Sequence, residues 1–157
     1  ELEVGKAYIP GGRYDKDGRP VLVFRAGRFD LKSVTLEELL RYLVYVLEKA
    51  LQEEKKTGGI EGFTTIFDLK GLSMSNPDLG VLRKILKILQ DHYPERLGKV
   101  YIINPPWFFR VLWKIIKPFL SEKTREKIRF VGPDSKEELL EYIDPEQLPE
   151  ELGGTLD

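Results

Sequence analysis

Apolar residues recur along this chain in two rhythms that take turns. From Val21 to Phe24, from Phe63 to Asp68 and from Val100 to Ile103, short β-branched, aromatic and aliphatic runs predict buried strands. Between them the period lengthens to that of a helix. Leu36, Leu39, Leu40, Leu43, Leu47, Ala50 and Leu51 share one helical stripe, opened by the capping-box spacing of Thr35 and Glu38 and predicted to reach about Glu54. The polar "EEKKTGG" ends it, with Gly58 and Gly59 suited to a left-handed C-terminal turn. A second helix is predicted to start at Asn76 and Pro77, to set Leu79, Leu82, Ile85, Leu86 and Leu89 against Arg83, Lys84 and Lys87, and to stop before Pro94. An aromatic helix over Trp107 to Leu120 follows, broken at Pro118, and Ser121 is placed to cap a short successor. Arg129 to Val131 supplies a fourth strand, and Asp134 with Glu137 caps a last helix through Tyr142.

Strand and helix alternate about four times, which predicts an α/β fold with a largely parallel sheet. The "PGG" turn at Pro10 to Gly12 and the turn "DKDGRP" at Asp15 to Pro20 lead into the first strand. The chain has no internal repeat, low-complexity segment or interdomain linker, and its 157 residues fit a single domain with a sizeable core.

Charge changes this picture locally. The net charge is −1, yet Trp107 to Arg129 holds seven Lys/Arg against two Glu, while Asp134 to Asp157 holds nine acids against Lys136 alone. A balanced total with one basic, aromatic-rich block argues against a general nucleic-acid binder and fits contact with an anionic phospholipid surface. The apolar run Trp107 to Leu120 is 14 residues long and interrupted by Arg110, Lys114 and Lys117. It falls short of the roughly 20 residues that span a bilayer. With no basic segment followed by an apolar one at the N-terminus, a cytoplasmic chain is expected.

Catalytic chemistry is sparse. There is no cysteine, which removes disulfides, thiolate metal sites and cysteine nucleophiles, and His92 is the only histidine. "GLSMSN" lacks the spacing of a nucleophile elbow, and "TGGIEG" precedes its strand instead of following one, so neither a serine hydrolase nor a dinucleotide loop is indicated. Asp68 has no second carboxylate placed to pair with it and reads as a strand-end cap of the "LKGLS" turn. The chain is expected to be a binding protein, with no metal and no cofactor.

Candidate binding chemistry gathers in Trp107 to Leu120. Arg110, Lys114 and Lys117 form a basic stripe at i, i+4 and i+7, beside a broad apolar surface of Phe108, Phe109, Leu112, Trp113, Ile115, Ile116 and Phe119. Such a segment serves either as a core helix or as a lid whose apolar side covers a greasy pocket and whose basic edge meets anionic headgroups.

From about Asp15 to Gly154, "DKDGRPVLVFRAGRFD", "TIFDLKGLSMSN", "YPERLGKVYIIN", "IIKPFLSEKTREKI" and "IDPEQLPEELGG" occur in the order found in CRAL-TRIO domains, and the chain resembles that family. So even is the match that the sequence reads like a family average, as a consensus design would. The resemblance implies a sheet flooring an apolar lipid pocket, a mobile lid over Trp107 to Lys127, and transient docking of a monomer on membranes. It implies that Glu95 and Lys127 help hold the inositol phosphate of phosphatidylinositol or a phosphoinositide. The helical module that usually precedes the domain is expected to be absent. Family members that exchange phosphatidylcholine use two tyrosines, a serine and a threonine where this chain aligns Gly11, Leu22, Phe63 and Thr65, so exchange of that kind is not expected. Leu22, Phe63 and Thr65 remain possible pocket residues. "DLKGLSMSNPDLGVL" is also similar to STAS domains, which would make the chain a signalling or scaffold module with Ser73 or Ser75 as its switch and a protein as its partner.

Overall fold

A computed structural model describes residues 7–8, 13–28, 35–57, 62–73, 79–93, 96–132 and 135–156. In chain order the elements are β1 (Ala7–Tyr8), β2 (Val21–Arg25), α1 (Leu36–Thr57), β3 (Phe63–Asp68), α2 (Leu79–His92), β4 (Leu97–Ile103), α3 (Phe109–Ile116), α4 (Glu122–Lys127), β5 (Ile128–Phe130) and α5 (Ser135–Tyr142). The five strands lie in sequence order in one sheet. β2 to β5 are parallel, and β1 pairs antiparallel on the outer edge of β2. This is the largely parallel α/β sheet the alternation predicts.

Successive side chains of a strand point to opposite faces, and here the two faces have different fates. Val21, Val23, Ile66, Tyr101 and Ile103 pack with Leu139, Ile143, Leu148 and Leu152, so α5 and the C-terminal turns seal one side of the sheet as a solid core. Leu22, Phe24 and Phe63 pack beneath Val46, Leu47 and Ala50 of α1 on the other side. Val100 and Ile102 meet Phe109 and Leu112 of α3 on that same side. α1 to α4 therefore share one face, as right-handed crossovers between parallel strands laid down in one direction require.

Local chemistry agrees with these placements. The predicted capping box is formed: Thr35 N–H donates to Glu38 Oε2 at 2.8 Å, and Glu38 N–H donates to Thr35 Oγ1 at 3.2 Å. Asp15 builds the turn into β2, because its buried carboxylate accepts the N–H groups of Asp17 (3.0 Å) and Arg19 (2.9 Å) and the Thr64 hydroxyl (2.6 Å). Asp68 accepts Lys70 N–H at 3.0 Å and the Asn104 amide at 2.9 Å, so it ties the turn after β3 to the end of β4. α1 runs three residues past the predicted Glu54, and β4 begins three before the predicted Val100. In the pairing of β3 with β4, Phe63 faces Leu97 and Thr64 faces Lys99, so Gly98 is an extra residue that puts both Leu97 and Val100 on the helix side. The expected boundaries at Pro10 to Gly12, Gly58, Gly59, Asn76, Pro77, Pro94 and Asp134 lie outside the described residues.

Candidate functional site

The helix face of the sheet is only partly filled. Between it and the surrounding helices lies a cavity of about 580 Å³. Phe24, Phe63, Thr65, Phe67, Val100 and Ile102 make its floor. Leu39, Leu43 and Leu47 of α1 form one wall, and Ile85, Leu86, Leu89 and Gln90 of α2 form a second. Phe109, Leu112, Trp113 and Ile116 of α3 close it on a third side. Ser121, Lys123, Thr124 and Lys127 bring the polar edge of α4 to the lining.

Interiors are normally packed to the density of organic crystals, and a mostly apolar hollow of this size is the kind that takes up apolar molecules. Thr65 is the one polar side chain of the floor. It is buried, and its hydroxyl has no hydrogen-bond partner among the described residues. Leaving such a group unpaired costs about 1–3 kcal/mol, and a ligand oxygen over the floor would remove that cost.

α3 divides its residues sharply. Phe109 stacks on Trp113, and both rings meet Phe130 at the end of β5, with centroids 6.4, 6.0 and 5.0 Å apart respectively. The opposite face carries Arg110, Val111 and Lys114 to solvent, with Trp107 just before the helix and Lys117 just after it. Trp107 is 81% exposed and Val111 64%. Large apolar side chains left in water beside three cations form an amphipathic outer surface, and Val111 belongs to it although the charge pattern did not single it out.

The expected pocket and lid residues divide between the inner and outer sides of the segment. Phe109, Leu112, Trp113 and Ile116 line the cavity, whereas Phe108, Ile115 and Phe119 belong to the lid segment but lie off its inner face. Phe108 packs edge-on against Trp107, and Phe119 is 43% exposed with the Arg83 guanidinium 4.6 Å above its ring. The helix presents only about a third of its circumference to the void, and the segment turns into 3₁₀ helix at Lys117, which rotates Phe119 outward. Phe63 and Thr65 line the floor, but Leu22, on the same face, is covered by α1. Lys127 reaches the lining, Glu95 lies outside the described residues, and Gly11 does too.

Two side chains escaped the sequence reading. Gln90 clasps the junction between α3 and α4 from α2: its amide donates to the Phe119 carbonyl at 2.7 Å and accepts Ser121 N–H at 3.0 Å. Ser121 in turn caps α4 by accepting Thr124 N–H at 3.2 Å, as predicted. Tyr93, at the rim of the same wall, donates its hydroxyl to Glu48 at 3.1 Å. Burial foremost, and then that bond, raises the phenol above its ordinary range, so it stays a neutral donor. No group of three or more His, Asp or Glu among the described residues is arranged to hold a metal.

An apolar cavity between a parallel sheet and four helices is what the motif order implied, and comparison with known proteins decides the matter. The CRAL/TRIO domain pattern matches residues 2–154. The chain belongs to the CRAL/TRIO domain family. Sec14 cytosolic factor of Schizosaccharomyces pombe is 43% identical over 168 residues, covering 98% of this chain and 59% of that protein. The phosphatidylinositol/phosphatidylcholine transfer protein SFH9 of Arabidopsis thaliana is 40% identical over 169 residues, covering 98% and 29%. Protein real-time of Drosophila pseudoobscura is 36% identical over 164 residues, covering 94% and 24%. The chain thus spans from about a quarter to about three-fifths of these CRAL/TRIO proteins. The crystal structure of Sfh5 has the same fold, with a TM-score of 0.70 at 24% identity over 90% of this chain and 50% of that one. Membership of this family sets the STAS-like alternative aside.

Proposed function

We propose that this CRAL/TRIO domain is a non-enzymatic lipid carrier that shelters one lipid in the cavity, under a lid formed by Trp107 to Lys127, and delivers it at an anionic membrane surface. The observation that carries the reading is the apolar void of about 580 Å³, within the size range of small-molecule sites. At about 0.8 kcal/mol per methylene, a 16-carbon chain brings on the order of 12 kcal/mol of gross transfer energy. A bilayer offers the same chain equal shelter, so a carrier needs a comparably dry cavity and a way to open it. α3, apolar within and basic without, supports a lid that moves at the interface. The Gln90 clasp and the contact of Arg83 with Phe119 would hold its far end to α2.

For the headgroup we favour phosphatidylinositol or a phosphoinositide. Lys127 at the lining supports this, since an ammonium balances a phosphate, and the assignment of Glu95 to the inositol hydroxyls stands on the family resemblance. The name of the Arabidopsis thaliana relative points to both phosphatidylinositol and phosphatidylcholine. The apolar Phe63, on the cavity floor and aligned where choline-lipid exchangers place a polar contact, favours the former. Lys127→Ala should lower uptake of phosphatidylinositol, relative to an uncharged apolar ligand, by about tenfold, the loss of one charge-assisted hydrogen bond. Competitive uptake from mixed vesicles measures that ratio. Equal retention of both ligands by the variant would sink the headgroup assignment.

A further inference from the structure

The lid segment leaves apolar groups in water at both ends of α3. Trp107 and Val111 do so where the helix begins, and Phe119 does so past its end, in the 3₁₀ turn that leads to α4. Two residues of α2 hold Phe119 in place. Its backbone carbonyl accepts the Gln90 amide at 2.7 Å, which fixes where the ring projects, and the Arg83 guanidinium lies 4.6 Å from the ring centroid. A guanidinium that covers an aromatic face engages through its own flat face and keeps its N–H edge for acceptors such as phosphate. Among the described residues Arg83 has no carboxylate partner, whereas Lys87, one turn further along α2, is matched by Asp91 at 3.1 Å. Lys84, next to Arg83, and Lys117, two residues before Phe119, are exposed cations as well.

An exposed ring beside phosphate-ready donors suits a bilayer interface, where an aromatic side chain sits at headgroup depth and a cation meets anionic lipid. We propose that Phe119 and Arg83 form a second membrane contact, in which the ring enters the headgroup boundary while the guanidinium binds the phosphate of an anionic phospholipid. This rests on the reading of an anionic membrane as the surface on which the lid docks. It carries the docking surface beyond the lid onto α2, a wall of the cavity, so that the end of the lid clasped by Gln90 is seated on the membrane together with that wall.

The chain has no cysteine, so an introduced one takes a polarity-sensitive fluorophore at a single chosen position. Phe119→Cys, Val111→Cys and Glu141→Cys are labelled in turn and mixed with phosphatidylcholine vesicles made with or without phosphatidylserine. Glu141 is exposed on α5, which packs on the opposite face of the sheet, and its label should keep the emission of a probe in water. The labels at positions 111 and 119 should both shift to the blue on the anionic vesicles and be quenched by a quencher attached just below the lipid headgroup. In the unlabelled chain, Arg83→Gln should weaken binding to anionic vesicles by about fivefold, the contribution of one basic residue at an anionic leaflet, with little change on phosphatidylcholine alone. Arg83→Lys, which keeps the charge, should retain most of the binding. Arg83 is exposed, so thermal stability should stay close to that of the parent in both variants. A shift at position 111 with none at 119, or anionic binding by Arg83→Gln as tight as the parent's, overturns this contact and leaves docking by the lid intact. No shift at either position overturns lid docking and this contact together. A shift at position 119 alone would keep the contact beside α2 and remove the outer face of α3 from the interface.

Discussion

Stripping bound lipid from the purified protein should lower its melting temperature by about 10 °C. A ligand that occupies only the folded state stabilises it by RT ln(1 + [L]/Kd), roughly 3–4 kcal/mol when the free ligand exceeds Kd by two to three orders of magnitude. For a chain of this length each kcal/mol moves the midpoint by about 2–4 °C. The physical source of the stabilisation is the void itself. Phe24, Phe67, Val100, Ile102, Phe109 and Leu112 all border it, and without an occupant they lose close contacts on that side. Adding lipid back should restore the transition. Calorimetry of the same preparation before and after detergent-free delipidation measures the shift, and a midpoint that stays within about 1–2 °C would mean that the cavity is not the lipid's seat.

Reversing the charge of Lys114 and Lys117 to Glu should cut binding to anionic liposomes by about a hundredfold or more. A basic residue close to an anionic leaflet contributes about 1 kcal/mol, and each substitution changes the local charge by two units. Both side chains are exposed on the outer side of the lid segment, away from the lining of the cavity. Thermal stability should therefore stay within about 0.5 kcal/mol of the parent. Trp107 and Val111, on the same outer surface, supply apolar anchoring that salt does not screen, whereas the charge contribution decays over about 8 Å at physiological ionic strength. Binding of the parent should weaken with added salt but not vanish. If the double variant binds anionic liposomes as tightly as the parent, or unfolds, the lid does not dock through this face.

Much of the scaffold was legible because it depends on local chemistry. Thr35 with Glu38, Ser121 over Thr124 and the strand Phe63–Asp68 are each specified within a few residues, and each formed as the sequence indicates. β1 left no trace, since a two-residue strand has no room for a period. The cavity was harder to see. Leu39, Leu43, Ile85 and Leu89 lie on apolar stripes that look the same whether the stripe packs against a neighbour or borders a void. Leu22 and Thr65 share a face of the sheet, and only the position of α1 makes one a covered core residue and the other a floor residue. Gln90 is a single polar residue on a helix, and its clasp joins segments about thirty positions apart. The part of the lining on α4 was half-visible: Lys127 stood out through the family motif, and Thr124 joins it only once both reach the same cavity.

Native mass spectrometry of the protein purified from cells, without detergent, is the most direct measurement of lipid carriage. The proposed function predicts a dominant species heavier than the polypeptide by the mass of one lipid, released as an identifiable molecule on collisional activation and replaced one-for-one after incubation with vesicles. A bare polypeptide mass that stays bare after exposure to vesicles, from protein that is folded by circular dichroism, would contradict it.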